Sequence, residues 1–108
     1  MPTNRAIFAA IRTETAANIG AAYTAVGTAF ANPLRAFRIS NDTDGDCYFS
    51  MDGAIDHVFV AAGSFVLYDV SGNSAGDVDY RIPAQTIFYV KEIVSPTTGS
   101  VYIEGIIA

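Results

Sequence analysis

The sequence has one cysteine, one histidine and no tryptophan among 108 residues, and only 16% of its residues are charged. A single cysteine, Cys47, excludes an internal disulfide framework and a zinc site built from several cysteines. A single histidine, His57, excludes metal sites that need several histidines. The charged fraction is below the ~25% of ordinary globular proteins, whereas 51% of the residues are apolar. These values exclude a disordered chain and indicate one globular domain whose apolar excess is either core or surface covered by a partner.

Long apolar runs are also absent. The apolar segment that follows Arg5 is interrupted by Arg12 and Glu14, so it is far shorter than the ~20 residues of a membrane span and too short for a secretory signal. We therefore expect a protein that is made in a cytoplasm and has no membrane partner.

Positive charge is scarce and lies mainly in the first third of the chain. Residues 1–38 carry four arginines and one glutamate, a balance of +3, whereas residues 42–80 carry eight aspartates and no lysine or arginine, a balance of −8. Because unlike patches attract, this division predicts head-to-tail or layer-to-layer assembly; the alternative is that aspartate serves only as a turn residue. On an acidic protein so few basic residues do not favour a nucleic-acid partner. The residues expected to meet an acidic partner are Arg5, Arg12, Arg35 and Arg38.

From Pro33 onward, short apolar runs alternate with turns rich in Gly, Asp, Asn and Pro at intervals of about 8–12 residues. This spacing predicts an all-β fold, either a sandwich or a barrel, and of the two we expect an antiparallel β-sandwich. The first 32 residues contain ten alanines, which favour helix, but also glycines and threonines that oppose a long one. We therefore expect an N-terminal arm or short helix over residues 1–21 and a single sandwich domain over residues 22–108, with its first strand at residues 22–26.

Three predicted strands are apolar or aromatic on both faces, at residues 65–68, 87–90 and 101–103. A strand buried on both faces lies between two layers, and in a domain of this size one layer would belong to a neighbouring subunit. The alternative is that the tyrosines face water. The side chains expected to supply core or contact surface are Phe65, Leu67, Phe88, Val90, Val101 and Ile103.

Two short motifs suggest catalysis but lack the partners that catalysis needs. Residues 72–76 have the G-x-S-x-G pattern of a nucleophile elbow, yet no helix pattern follows them and the only histidine precedes the serine. Asp56 and His57 are an acid–base pair with no evident nucleophile. We therefore expect a Gly/Ser loop at residues 72–76, a structural role for His57 and no enzymatic activity.

The acidic turn at residues 42–46 is the remaining candidate site. Its three aspartates alternate as at the start of a calcium loop, where carboxylates converge on one hard cation. The match ends there, because Cys47 and Gly53 occupy the positions that need glycine and glutamate. We expect a solvated hairpin turn, no cofactor, and Cys47 as a small core residue. The candidate cation ligands are Asp42, Asp44 and Asp46.

Several segments resemble, in their order and spacing, a group of small structural proteins of tailed bacteriophages. The segments lie between Tyr23 and Tyr102 and are Tyr23–Thr28, Asn32–Arg35, Ile39–Asp44, Phe49–Gly53, Asp56–His57, Ala62–Asp69 and Phe88–Lys91. The resemblance implies a compact β-sandwich or jelly-roll subunit of the virion, present in many copies and without catalytic residues. It leaves open whether the subunit belongs to the capsid surface, the neck or the tail.

The sequence therefore predicts a non-enzymatic, homo-oligomeric virion protein that reinforces the capsid surface as a cement or decoration subunit. Its partners would be its own copies and a major capsid protein, and it would be synthesised in the bacterial host cytoplasm. The alternative is a neck or tail component, such as a connector or fibre-attachment ring. A second alternative is not a virion protein but a carbohydrate- or cation-binding β-sandwich module. Its binding site would combine the turn at residues 42–46 with the tyrosines.

Overall fold

The structure, a computed structural model, describes residues 7–70 and 81–108. Within these residues the chain forms eight strands and a single 3-10 turn at Ala16–Asn18. The strands are β1 Arg12–Thr15, β2 Thr24–Ala25, β3 Leu34–Thr43, β4 Cys47–Ser50, β5 Val58–Val60, β6 Ser64–Asp69, β7 Tyr89–Glu92 and β8 Gly99–Ile107. The predicted loop at residues 72–76 lies outside the described residues.

The strands form two antiparallel four-stranded sheets that pack face to face. Sheet A has the order β1-β8-β3-β6, and sheet B has the order β2-β7-β4-β5. Each neighbouring pair runs antiparallel. Consecutive strands therefore cross repeatedly between the sheets, which is the arrangement of a jelly roll. The predicted all-β sandwich is confirmed.

The inward side chains of both sheets form one apolar core. Phe88 lies at its centre, with ring centroids 5.8 Å from Phe30 in an edge-to-face contact and 5.2 Å from Phe37. Such aromatic pairs add about 0.5–1.5 kcal/mol to the free energy gained from burial alone. Cys47 is buried in the same core, where desolvation raises the pKa of its thiol.

The N-terminal segment differs from the predicted arm or short helix. β1 pairs with β8, with Thr13 opposite Tyr102, and forms one edge of sheet A. Helix is limited to the one 3-10 turn that follows. The ladder to β8 outweighs the helix preference of alanine, which is worth only tenths of a kcal/mol per residue. The strand expected at residues 22–26 is present as β2 at Thr24–Ala25, but it is the second strand.

A buried polar network shapes the turn between β3 and β4. The Asn41 side chain, only 1% exposed, donates to the carbonyl oxygens of Gly45 at 2.9 Å and Val60 at 3.0 Å. Its Oδ1 accepts from the Thr43 amide at 3.1 Å and from the Thr43 hydroxyl at 2.6 Å. Asn41 therefore satisfies backbone groups of β3, the turn and β5 that would otherwise be buried without partners.

Candidate interaction surface

The outer surface of sheet A, here called the A face, is formed by side chains that alternate with core residues. In an antiparallel pair, residues directly opposite each other point to the same side of the sheet. Arg38 lies opposite both Leu67 and Glu104, and Ser40 lies opposite both Phe65 and Tyr102. Phe8 joins the same surface through its bridge to Ile106. The main side chains of the A face are Phe8, Arg38, Phe65, Leu67, Tyr102 and Glu104.

The A face is unusually apolar for a surface in contact with water. Phe8 is 68% exposed, Leu67 65%, Phe65 58% and Tyr102 37%. Single exposed apolar residues are ordinary, but a contiguous patch of them marks an interaction site. The small side chain of Ala36 leaves a shallow groove, which Phe8 and Leu67 help to line. The A face is therefore the strongest candidate surface for a partner.

An ion pair at the middle of the A face balances its charge. The guanidinium of Arg38 forms an ion pair with Glu104, with Nε donating to Oε1 at 2.6 Å. The same guanidinium lies 5.4 Å from the centroid of the Phe65 ring. Both charged side chains are a third or more exposed, so water screens the pair and its contribution to stability is at most about 1 kcal/mol. The pair presents both signs of charge to anything that covers this face.

The residues expected to supply core or contact surface divide into two groups. Phe65 and Leu67 lie on the A face, on β6. The other four are no more than 1% exposed and belong to the core: Phe88, Val90, Val101 and Ile103.

Sequence reasoning missed two residues of the A face on β8. Tyr102 and Glu104 alternate with the buried Val101 and Ile103. Period-2 alternation of this kind predicts one inward and one outward set on a strand. This alternation is visible in the sequence, but the adjacent Ile106 and Ile107 at the end of β8 make the strand read as apolar on both faces.

The four arginines expected to meet an acidic partner do not form one free basic patch. Arg12 is engaged within the fold, because its guanidinium donates to the carbonyl oxygens of Ala10, Thr28 and Ala29. It also lies 4.2 Å from the centroid of the Phe30 ring.

The remaining arginines are placed differently from one another. Arg38 pairs with Glu104, as described above. Arg35 is exposed at the start of β3, and Arg5 lies outside the described residues.

Two of the three aspartates of the candidate cation site, Asp44 and Asp46, bond to separate partners. Asp44 accepts from the amide and hydroxyl of Thr97 at 2.7 and 2.5 Å and from the Thr98 amide at 3.2 Å. Asp46 accepts from the Ala62 amide at 2.9 Å. Among residues 7–70 and 81–108, no three His, Cys, Asp or Glu side chains are grouped as metal ligands. These carboxylates therefore join loops at this end of the sandwich.

The Asp44 bonds predict a specific loss of stability in acid. Hydrogen bonds from Thr97, above all that of its hydroxyl, lower the Asp44 pKa from 3.8 to about 2. Because the folded pKa is depressed, the stabilisation is fully present above about pH 4 and is lost as the pH falls through about 2. We expect the thermal midpoint of Asp44→Asn to be lower than that of the wild type at pH 5, and the difference to shrink toward pH 2. Melting curves across this range, with Asp42→Asn as the control in the same turn, measure it; a constant difference would contradict the prediction.

Three polar side chains lie together where β4 leads into the loop to β5, and they accept hydrogen bonds from backbone amides of that loop. They are Ser50, the last residue of β4, and Asp52 and His57 of the loop. The Ser50 hydroxyl donates to Asp52 Oδ1 at 2.8 Å and accepts from the amides of Asp52 and Gly53. His57 Nδ1 accepts from the Met51 amide at 3.0 Å and lies 3.5 Å from Ser50 Oγ. Ser50 is buried and its proton points to the carboxylate, whereas a nucleophile needs its hydroxyl exposed and directed at a base.

Asp56, which precedes His57 in the sequence as its possible acid–base partner, contacts Tyr23 and Lys91. Its carboxylate accepts from the Tyr23 hydroxyl at 2.5 Å and from Lys91 Nζ at 2.9 Å. Desolvation, and then the bond to Asp56, raise the Tyr23 pKa well above its usual value, while the same bond lowers the pKa of Asp56. Lys91 Nζ also lies 4.9 Å from the Tyr23 ring centroid and 5.7 Å from that of Tyr48. These tyrosines are thus part of a charge-balanced network on sheet B.

Comparison with known proteins gives no match: no protein family, no curated protein and no solved structure is similar to this chain. Within the part of the chain that the structure describes, no helix has the length and apolar character needed to cross a membrane.

Proposed function

We propose that this chain is a non-enzymatic structural protein of a tailed-phage virion that reinforces the capsid surface as a cement or decoration subunit. The observation that carries the proposal is the A face, an exposed apolar surface on a rigid sheet. The resemblance of residues 23–102 to small phage structural proteins supports the same role.

The dimensions of the A face can be compared with those of a stable protein interface. Four strands spaced by about 4.8 Å and a central strand β8 of 9 residues rising about 3.4 Å each give a face of about 600 Å² before side-chain relief is added. One side of a standard protein interface buries about 800 Å². The A face would therefore supply at most about three quarters of one side of such an interface, and Arg38 and Glu104 at its middle would fix the orientation of the partner by charge.

Binding to purified phage shells tests the proposal. Shells of the parent phage, stripped of this protein, should rebind it in a copy number close to that of the major capsid protein. Recovery of only a few copies per particle would instead favour the alternative, a neck or tail component. An absence from purified particles would overturn both.

The substitution Phe8→Glu tests whether the A face makes the contact. Phe8 is 68% exposed, so a glutamate is accommodated in the free protein, but it places a charge in an interface that excludes water. We expect at least about a tenfold loss of shell binding, which corresponds to ~1.4 kcal/mol. The matched control is Ile55→Glu, because Ile55 is 60% exposed in the β4–β5 loop, away from the A face. Equal binding by the two variants would exclude the A face as the docking surface.

A further inference from the structure

The strand β6 forms an open edge of sheet A. Among residues 7–70 and 81–108 it pairs with β3 alone and lies at the end of the strand order. Five of its six residues are exposed, and its apolar run comprises Phe65, Val66, Leu67 and Tyr68. An edge of this kind presents backbone donors and acceptors that another strand can bind.

The ladder to β3 shows which backbone groups of β6 point outward. The Val70 amide donates to the Arg35 carbonyl at 2.8 Å, and bonding toward one neighbour recurs at every second residue of an antiparallel strand. Tyr68 and Val66 therefore bond toward β3. The amides and carbonyls of Phe65 and Leu67 point away from it, and no backbone group of the described residues bonds to them.

The other edge strands are less suited to pairing. β1 carries Arg12 and Glu14, β2 has two residues and β5 has three. Short or charged edges are how natural sheets avoid association. β6 has six residues, no lysine or proline, a single charge at its last residue, Asp69, and a regular register to β3 along its whole length. Among the described strands it is the edge without these protective features.

We propose that β6 pairs antiparallel with β6 of a second copy of this chain, about a two-fold axis through Val66. In this register Phe65 of each copy lies opposite Leu67 of the other, and their outward amides and carbonyls bond to one another. Both side chains lie on the A face, so the pairing forms two apolar cross-strand pairs, which stabilise an antiparallel pair of strands more than alanine pairs do. A two-fold axis through Leu67 would instead place Phe65 opposite Asp69.

The pairing would join two copies of sheet A into one continuous sheet. The two A faces would then lie side by side on the same surface, so that a dimer presents twice the area of one chain to a shell. The inference rests on the proposed function for its role in the virion, because it names the second copy as one of the partners. The pairing itself requires only the purified protein.

The mass of the purified protein in solution tests the pairing. We expect a dimer by light scattering and sedimentation, and a monomer for Leu67→Pro, because proline removes an outward amide without removing a bond to β3. Leu67→Lys should also be monomeric, whereas Phe59→Lys, a matched change at an exposed residue of the edge strand β5, should remain dimeric. A monomeric wild-type protein, or a dimer that persists in both folded Leu67 variants, would overturn the inference.

A disulfide test gives a second readout that does not depend on how well the Leu67 variants fold. Val66→Cys, in a background with Cys47→Ala, should form a symmetric intermolecular disulfide under mild oxidation. A crosslink through Leu67→Cys instead of Val66→Cys would overturn the proposed register.

Shell binding by a strictly monomeric protein would overturn the pairing and leave the proposed function standing. A crosslinked dimer that binds no shell would overturn the proposed function and leave the pairing standing.

Discussion

Asn41→Leu should lower the free energy of unfolding by about 3–5 kcal/mol, because each buried polar group left without a partner costs ~1–3 kcal/mol. Leucine has the same number and branching of side-chain heavy atoms as asparagine but is larger, so overpacking at this buried site adds to the loss. The Val60 carbonyl oxygen would lose this donor and the Thr43 amide would lose its acceptor, whereas the Gly45 carbonyl oxygen would keep the Thr43 hydroxyl, 2.9 Å away, as a donor. Urea unfolding followed by circular dichroism measures the loss, which is a large part of the 5–15 kcal/mol typical of a domain.

Two variants on the same strand separate the buried network from general effects on β3. Thr43→Val removes one hydroxyl that donates to Asn41 and accepts from the Gly45 amide, so it should cost about 1–2 kcal/mol. Ser40→Ala, on the outer side of β3, should change stability by less than ~0.5 kcal/mol. If Asn41→Leu were no more harmful than Thr43→Val, the Val60 carbonyl and the Thr43 amide would have found other partners and the prediction would be wrong.

The sandwich could be predicted because its turns are marked by local chemistry. Gly, Asp and Pro occur at each reversal between Pro33 and Gly99, and the runs between them have the length of strands. The apolar run at residues 65–68 lies within β6, and the run at residues 101–103 lies within β8. Such signals depend on residues that are neighbours in the chain, which is why they can be recognised without the fold.

The N-terminal strand could not be predicted, because its stabilising partner lies far away in the chain. Arg12–Thr15 is a strand because it pairs with β8, about ninety residues later. The guanidinium of Arg12 likewise binds carbonyl oxygens of residues 28 and 29, which no local pattern indicates. Long-range contacts of this kind overrode the alanine signal.

The A face was only partly predictable for the same reason. The apolar run at residues 65–68 indicated a contact surface, but residues 87–90 gave the same signal, and two of them, Phe88 and Val90, proved to be core. The two differ in sheet position: β6 is an edge strand, whereas β7 lies between β2 and β4. Composition does not reveal which strand is at an edge, so the sequence could name both segments but not separate them.

Gly99→Ala should destabilise the fold by more than ~3 kcal/mol, through a mechanism different from that of Asn41→Leu. Gly99 begins β8 with φ +88°, and an added Cβ would lie 1.9 Å from the carbonyl oxygen of Asp42. That oxygen belongs to the β3–β8 ladder, where Asp42 is opposite Ser100, so it cannot move without breaking the pairing at the centre of sheet A. Urea unfolding measures the effect.

Gly63→Ala is the control that separates the clash from the cost of the backbone conformation. Gly63 has a similar φ of +73°, but an added Cβ would meet nothing within 4 Å. It should therefore show only the strain of a left-handed alanine, about 1–2 kcal/mol. The difference between the two variants measures the close approach of β8 to Asp42. Equal losses would mean that the β3–β8 hydrogen bonds near Gly99 can break without loss of stability. Sheet A would then be too flexible at that end to hold the A face as a rigid surface.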